Sequence, residues 1–488
     1  MIEPSLTPAW ALPALVFVPM LGALVLWLLP RWQPLQRWLP AVLGLVLLPL
    51  MWPLGHAVAV DGAVTLALGG HRAPLGIEWY VDGLAVLLLG LNQTVAAAVG
   101  GYLWGAWPHA AQRHSPGFGV CWLLLWGALN ALAMSADLFN IYVLLEIVSL
   151  GGVVLVVGRG AGAFAAAMRY LLFALTGSLI YLLGVALAYA DAGTLSLRLL
   201  ADAGLGAPAV TALTLGLMFK AALWPLHGWL PAAHAAAPTA ASAVLSALVV
   251  KAAAYLLLRL WSDVFSGSWT PALLQALAVI GMTGVLFGSV QALRQVHLKR
   301  VIAYSTVAQL GYVLLLPALA GALAWQGVAL HLLSHGLAKA AMFLAAGNVI
   351  IAIRDDRLDN LAGLDRVLSG NLFIFAAAGM SLAGMPPAAG FVAKWWLVRA
   401  AVDAGQWWWA IAVAASGLLA AGYVIRVLRA ALASPDSFAE APRHRARDLS
   451  PAMVAAPALL AAAAVALGLG AAWLGPLALA GSTWSLAP

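Results

Sequence analysis

Apolar positions fill this chain in long runs, and polar positions fall between them in short clusters. A helix that crosses a bilayer needs about 20 predominantly apolar residues. Fourteen such runs can be placed, at 8–29, 37–55, 81–106, 117–135, 138–157, 164–190, 207–226, 239–260, 270–293, 301–319, 323–353, 370–402, 406–431 and 452–476. The seventh continues brokenly to 237, through Pro225 and Pro231. The pattern predicts an all-α polytopic membrane protein of about fourteen transmembrane helices. The first run lacks a basic leading segment and is long enough to span, so it reads as a retained helix and not as a cleaved signal. Residues 56–80 read as a loop with some extended structure. The longest polar stretches are the loops 353–367 and 433–450, with no extended soluble domain between spans.

Charge then orients the spans. Sixteen basic residues fall on one side: Arg31, Arg37, Arg113, Arg159, Arg169, Arg294, Lys299, Arg300, Arg354, Arg357, Arg366, Arg426, Arg429, Arg443, Arg445 and Arg447. Four fall on the other: Arg72, Arg198, Arg259 and Arg399. With four lysines inside spans, these account for all 24 Lys and Arg. Such a bias marks the rich side as cytoplasmic and turns both termini outward. One missed or invented span would scramble the alternation, so the bias supports the count.

Composition sharpens the class. The 488 residues are 64% hydrophobic and 8% charged, against about 25% charged in soluble domains. The net charge of +7 sits in short loops, which is a topology signal and not a nucleic-acid surface. The single cysteine, Cys121, excludes a disulfide framework, a thiolate zinc site and an iron–sulfur cluster. No glycine-rich dinucleotide pattern and no quinone signature is evident, so no cofactor is expected on this chain.

The candidate chemistry is a set of ionisable groups at membrane depth. A lysine there costs roughly 2.5–3.5 kcal/mol on insertion scales. Lys220 and Lys251 frame the stretch 219–259, with Pro225, His227, Pro231, His234 and Pro238 between them. Lys339 and Lys394 lie in later spans, and Glu146 is the only acidic residue inside one, apart from Asp82 at the very edge of the third. Four cations against one anion would leave a net +3 if all were ionised. Burial disfavours charge on an amine, which suits a group that must release and regain a proton. Glu146 has Tyr142 and Leu150 at i±4, so its partner must come from another helix. The competing reading is an inert ion pair with snorkelling lysines.

His331, His335 and Lys339 follow i, i+4, i+8 and so share one helical face. A row of proton-passing groups is one reading. A metal site lacks an accompanying carboxylate or thiolate, haem lacks a second facing histidine, and a satisfied structural pair is the bland alternative. His227 and His234 either connect the cytoplasm to Lys220 or bond carbonyls freed by the prolines. Lys299 and Arg300, heading the tenth span, read as topology determinants, with Ser305, Thr306 and Gln309 adding polarity there. Most tryptophans flank spans as interfacial anchors, while Trp395 and Trp396 could narrow access to Lys394. A weak repeat is visible: Lys220 precedes Pro225, whereas Lys394 follows Gly384, Pro386 and Pro387. Reversed order is what an inverted-topology repeat gives, although prolines are common in membrane helices.

Together the glutamate in NIYVLLE, FKAALWPLHGWLPAAHAAAPTAASAVLSALVVK, HLKRVIAYSTVAQLGY, HLLSHGLAKAAMF and GMPPAAGFVAKW carry a family resemblance. Over about residues 75–430 the chain resembles the antiporter-like membrane subunits of respiratory complex I, membrane-bound hydrogenases and Mrp-type cation/proton antiporters. The resemblance implies two inverted five-helix repeats, at helices 4–8 (111–265) and 9–13 (266–432). Helices 1–3 (1–110) would precede them, a loop and helix 14 (433–488) would follow, and helices 7 and 12 would be broken. It implies a proton relay through Glu146, Lys220, Lys251, His331, His335, Lys339 and Lys394, with His227 or His234 at a cytoplasmic entrance. The family often has an acid after WLP, where this chain has Ala232 and Ala233. A single span after the repeats, lysine at 394 and the intact histidine row resemble most the D-type member of an Mrp Na⁺/H⁺ antiporter. A complex I-like or hydrogenase subunit is the alternative, and a non-conducting quinone or haem anchor is the rival from another class. The resemblance also implies a bacterial or archaeal inner membrane, other membrane subunits as partners, and H⁺ with Na⁺ as a possible second ion.

Overall fold

The computed structural model describes residues 8–107, 117–157, 161–265, 269–434 and 449–481. The basic loop positions Arg113, Arg159, Arg443, Arg445 and Arg447 lie outside the described residues. The chain is a bundle of helices: α1 Ala11–Leu28, α2 Gln33–Leu47, α3 Met51–Asp61, α4 Gly83–Ala106, α5 Gly117–Met134, α6 Leu138–Val156, α7 Ala161–Ala192 and the short α8 Leu197–Ala203. The centre is built by α9 Ala207–Lys220, α10 Leu230–Ala236, α11 Thr239–Val244, α12 Val250–Asp263, α13 Pro271–Arg294, α14 Leu298–Leu310, α15 Leu316–Leu319 and α16 Gly321–Ile353. Then follow α17 Asp365–Ala383, α18 Ala389–Asp403, α19 Trp407–Leu432, α20 Pro451–Leu469 and α21 Ala471–Leu479. Among the described residues, thirteen helical stretches are long and apolar enough to cross a membrane, and Ala207–Lys220 is a shorter apolar one. The second stretch is longer than its apolar run suggests, because α2 and α3 join through a tight turn into Gln33–Asp61.

The expected extended loop is present as a two-stranded antiparallel hairpin, β1 Val64–Ala67 with β2 Glu78–Val81. It packs over the end of the bundle, where the Tyr80 hydroxyl donates to the Gly481 carbonyl at 2.7 Å. Burial, with Asp82 nearby, pushes the Tyr80 phenol up to about 12, so it remains a neutral donor.

Burial is graded across the bundle. The apolar window of the stretch Thr239–Asp263 is wholly enclosed by protein, and that of Gly321–Ile353 nearly so. Peripheral α13 and α19 instead expose large apolar side chains such as Leu286 and Leu418, which lipid covers in a membrane protein. The buried ionisable groups Lys251, His331, His335 and Lys339 lie on the two enclosed stretches. Close approach of α7 and α9 depends on small residues: a Cβ at Gly216 would meet the Gly177 carbonyl and the Tyr181 amide nitrogen at 2.7 Å. Small-residue contacts are the usual way membrane helices pack when no hydrophobic drive exists between them.

Candidate functional site

Two helix interruptions set the site. The run expected to continue to 226 stops earlier, because α9 ends at Lys220 and Ala222 takes φ 51°. Pro225 then has no N–H to continue a helix. The Phe219 carbonyl at this end accepts from the Ala222 amide and from the Trp229 indole, both at 3.2 Å. The run 370–402 is likewise divided. Gly384 takes φ 81° at the end of α17, and the amides of Gly384 and Met385 both donate to the Met380 carbonyl at 3.0 Å. Glycine is the residue that adopts this left-handed cap without strain.

Glu146 finds the inter-helix partner it requires. Lys220 Nζ donates to its Oε1 at 3.1 Å and to Ser149 Oγ at 2.8 Å. The Ser178 hydroxyl from α7 faces the same carboxylate oxygen and also the Ala174 carbonyl. Lys220 is 4% exposed and Glu146 21%, so the pair lies largely out of solvent. At an effective dielectric of about 20, unit charges about 4 Å apart attract by about 4 kcal/mol. Separating this pair therefore changes the stability of the Lys220 ammonium on a scale that matters for proton affinity.

Lys251 has a different environment. It is fully buried, and its Nζ donates to the Ser246 carbonyl. Ser246 lies in a π-helical turn, Leu245–Val249, between α11 and α12. A π turn removes carbonyls from the regular ladder and often marks a functional position. Ser246 Oγ also meets Thr306 Oγ1 of α14 at 2.9 Å, which ties the turn to the next cluster.

In α16 the rings of His331 and His335 lie stacked, 5.7 Å apart. His331 Nε2 donates to the Gln309 carbonyl at 3.0 Å. Neither ring nitrogen of buried His335 has a partner among the described residues, and it lies within electrostatic reach of Lys251, Lys339 and Lys394. Lys339 Nζ donates to the Ile302 carbonyl at 3.0 Å and to Ser305 Oγ. Lys394 Nζ donates to the Leu382 and Ala383 carbonyls at 2.8 and 3.3 Å, at the end of α17. A helix C-terminus favours a cation, and the Tyr312 ring lies 5.4 Å from the same ammonium.

The two histidines expected at an entrance, and the tryptophans near Lys394, have aromatic or peripheral neighbours. His227 is set edge-on against Phe287, 5.1 Å away. His234 is fully buried and stacks on Phe343 at 4.6 Å. It lies within electrostatic reach of Lys299, Lys339 and Lys251. Trp395 is exposed, and Trp396 lies against Gly475. Sequence reasoning missed Ser149, Ser178, Ser246, Tyr312 and the burial of Lys299. Serines that can bond their own helix give no signal of a second partner. Among the described residues no three metal-ligating side chains converge.

Residues 135–419 match the family described as NADH:quinone oxidoreductase/Mrp antiporter, TM. The chain belongs to this family. Within it, the chain is 35% identical to the N subunit of the NADH-quinone oxidoreductase of Desulforudis audaxviator, over 94% of each chain. It is 27% identical to the D subunit of the Na⁺/H⁺ antiporter of Bacillus subtilis, again over 94% of each. A chain in the structure of the Mrp complex from Dietzia sp. superposes with a TM-score of 0.83 at 26% identity, covering 97% of this chain and 96% of that one. Glu146, Lys220, Lys251, His331, His335, Lys339 and Lys394 all lie within the matched residues. This antiporter-family member is thus a multi-pass membrane protein whose structural neighbour is part of a multisubunit membrane complex.

Proposed function

We propose that this chain is the proton-translocating membrane subunit of a multisubunit Mrp-type Na⁺/H⁺ antiporter, carrying H⁺ through a buried relay. The observation that carries the reading is the Glu146–Lys220 pair at 3.1 Å, followed by three further buried lysines held by carbonyls, hydroxyls and an aromatic face. With Glu146 paired, Lys220 is held as an ammonium. When the pair separates, that proton moves toward Lys251, then along the row of His331, His335 and Lys339, then to Lys394 and one face of the membrane. The basic-rich face is cytoplasmic and both termini face outward. Helices 4–8 and 9–13 act as two inverted repeats, each with a lysine beside its interruption. A sodium site prefers several oxygen ligands, so any Na⁺ path lies with the other subunits. The 35% identity to an NADH-quinone oxidoreductase subunit favours a second assembly, a redox-driven pump built on the same relay. Identifying the neighbours of the purified complex separates the two.

The relay itself is tested with Lys220→Ala and Lys251→Ala in the assembled complex, reconstituted in vesicles with a pH dye. Both variants are expected to assemble and to lose proton flux. Wild-type flux in either one removes that lysine from the path.

A further inference from the structure

Lys299 reads in the sequence as one more loop cation, but the fold gives it an interior place. It is the second residue of α14 and is buried. Its Nζ donates to the carbonyl of Ala237 at 2.5 Å, where α10 ends before Pro238. A lysine with only a topological duty extends its ammonium to water along its flexible stem. This one turns inward at the cost of solvation.

Groups that can exchange protons flank it on both sides. Toward the basic face, His297 Nδ1 and Asp356 Oδ1 pair at 2.7 Å, with exposures of 34% and 25%. The segment carrying Asp356 is fastened to the start of α14 by the Leu298 amide on the Asp356 carbonyl at 2.7 Å, and Asp356 acts electrostatically on Lys299. Toward the interior stands His234, three residues before Ala237 on α10. Neither of its ring nitrogens has a partner among the described residues although it is fully buried. It is within electrostatic reach of Lys299, Lys339 and Lys251. Buried imidazole nitrogens are nearly always bonded, and a polar gap lined by several such groups is where a bridging water is stable.

We infer that Lys299 is the basic-face port of the relay, exchanging protons between the half-exposed His297–Asp356 pair and His234. This rests on the proton-relay reading above. In each step an N–H bond of the Lys299 ammonium breaks and the proton passes, through bridging water, to a His234 ring nitrogen. The free amine is reprotonated from the His297–Asp356 side, so one proton is moved and no electrons are exchanged. His234 then connects to Lys339 and Lys251. The port thus feeds the middle of the relay and stands in for the acid that Ala232 and Ala233 do not supply.

The test uses the assembled complex in vesicles. Lys299→Arg keeps the positive charge and can still donate to the Ala237 carbonyl, but a guanidinium does not release its proton. Lys299→Arg and Lys299→Met are both expected to lower proton flux by about a hundredfold or more, the scale of losing one acid–base group. Wild-type flux in Lys299→Arg overturns the proposal and leaves Lys299 as a pin for the α10 end. Should Lys299→Arg not assemble, the surface double variant His297→Gln/Asp356→Asn decides. Its flux is expected to fall most at high pH on the basic face, where protons are scarce; a wild-type pH profile overturns the port. Lys251→Ala run in parallel separates the failures, since full flux there sinks the relay reading itself.

Discussion

Ser178 and Ser149 supply hydrogen bonds to a carboxylate and an ammonium that the proposed relay has to separate. Each hydroxyl faces one charge and one carbonyl of its own helix, Ala174 for Ser178 and Leu145 for Ser149. Either charge can therefore lose its partner without being left bare. A hydrogen bond to a charged group contributes about 1.5–3 kcal/mol. Ser178→Ala is thus expected to slow proton flux about tenfold or more, at about 1.4 kcal/mol per decade, while the complex assembles normally. Stopped-flow dye measurements in vesicles check it, and an unchanged rate would mean that the hydroxyl bonds only Ala174. This pair also shows what a sequence can reveal at the residue scale. Glu146, Lys220 and Lys251 stand out because an ionisable group in an apolar run is costly unless paired or used. The serines do not, since bonding their own helix gives them a complete explanation without a second partner. Lys299 stays hidden for the opposite reason: a lysine at the head of a span already has a topological explanation.

Apolar runs made nearly every spanning element legible, because bilayer thickness fixes how long such a run must be. The interruptions were less legible. Pro386 and Pro387 point to the break after α17, but the early stop of α9 rests on Ala222 at φ 51°, a conformation no glycine advertises. The π turn at Leu245–Val249 lies in a run of good helix and strand formers, and nothing local encodes it; it arises where α11 and α12 pack at the centre. Lys220 therefore stands at a helix end, free to approach α6, rather than within a continuous span. That position depends on how closely α7 and α9 meet. In Gly216→Ala the added Cβ would meet backbone at 2.7 Å on two sides, which the neighbours cannot relieve by turning a side chain. Overpacking of this kind costs about 1–3 kcal/mol. The variant is expected to melt at lower temperature and to lose flux as α9 is pushed away from Glu146. Gly90→Ala, whose Cβ would meet nothing within 4 Å, serves as the control and is expected to be neutral or slightly stabilising. Equal melting of the two variants would show that the α7–α9 contact is compliant.

At the scale of the whole molecule, the proposed relay requires its helices to be held together from one face to the other. Arg259, counted from the sequence among the loop cations, is instead buried near the C-terminal end of α12 and gathers that face. It reaches Asp82 at 2.6 Å, Asp263 at 3.4 Å and the Tyr255 hydroxyl at 2.8 Å. Tyr255 in turn donates to the Ala133 carbonyl of α5 at 2.6 Å. Asp82 caps α4 through the Ala85 amide at 2.9 Å, and the following Gly83 amide donates to the Ala480 carbonyl near the C-terminal end. One guanidinium thereby joins the helix carrying Lys251 to helices at both ends of the chain. Removing it strands Asp82 as a buried charge, a loss that costs about 3–5 kcal/mol in such pairs. Arg259→Leu is therefore expected to reduce assembly and melting temperature sharply. Arg259→Leu combined with Asp82→Asn keeps a side-chain oxygen to cap Ala85 and leaves no unpaired charge at 82. It should recover much of that loss, with a coupling between the two sites of at least about 1 kcal/mol. Thermal unfolding of the four proteins of the cycle in one detergent measures it. Strict additivity would show that the cations at this face act singly, and that the rigidity needed to keep Lys251 at a fixed distance from its neighbours comes from helix packing alone.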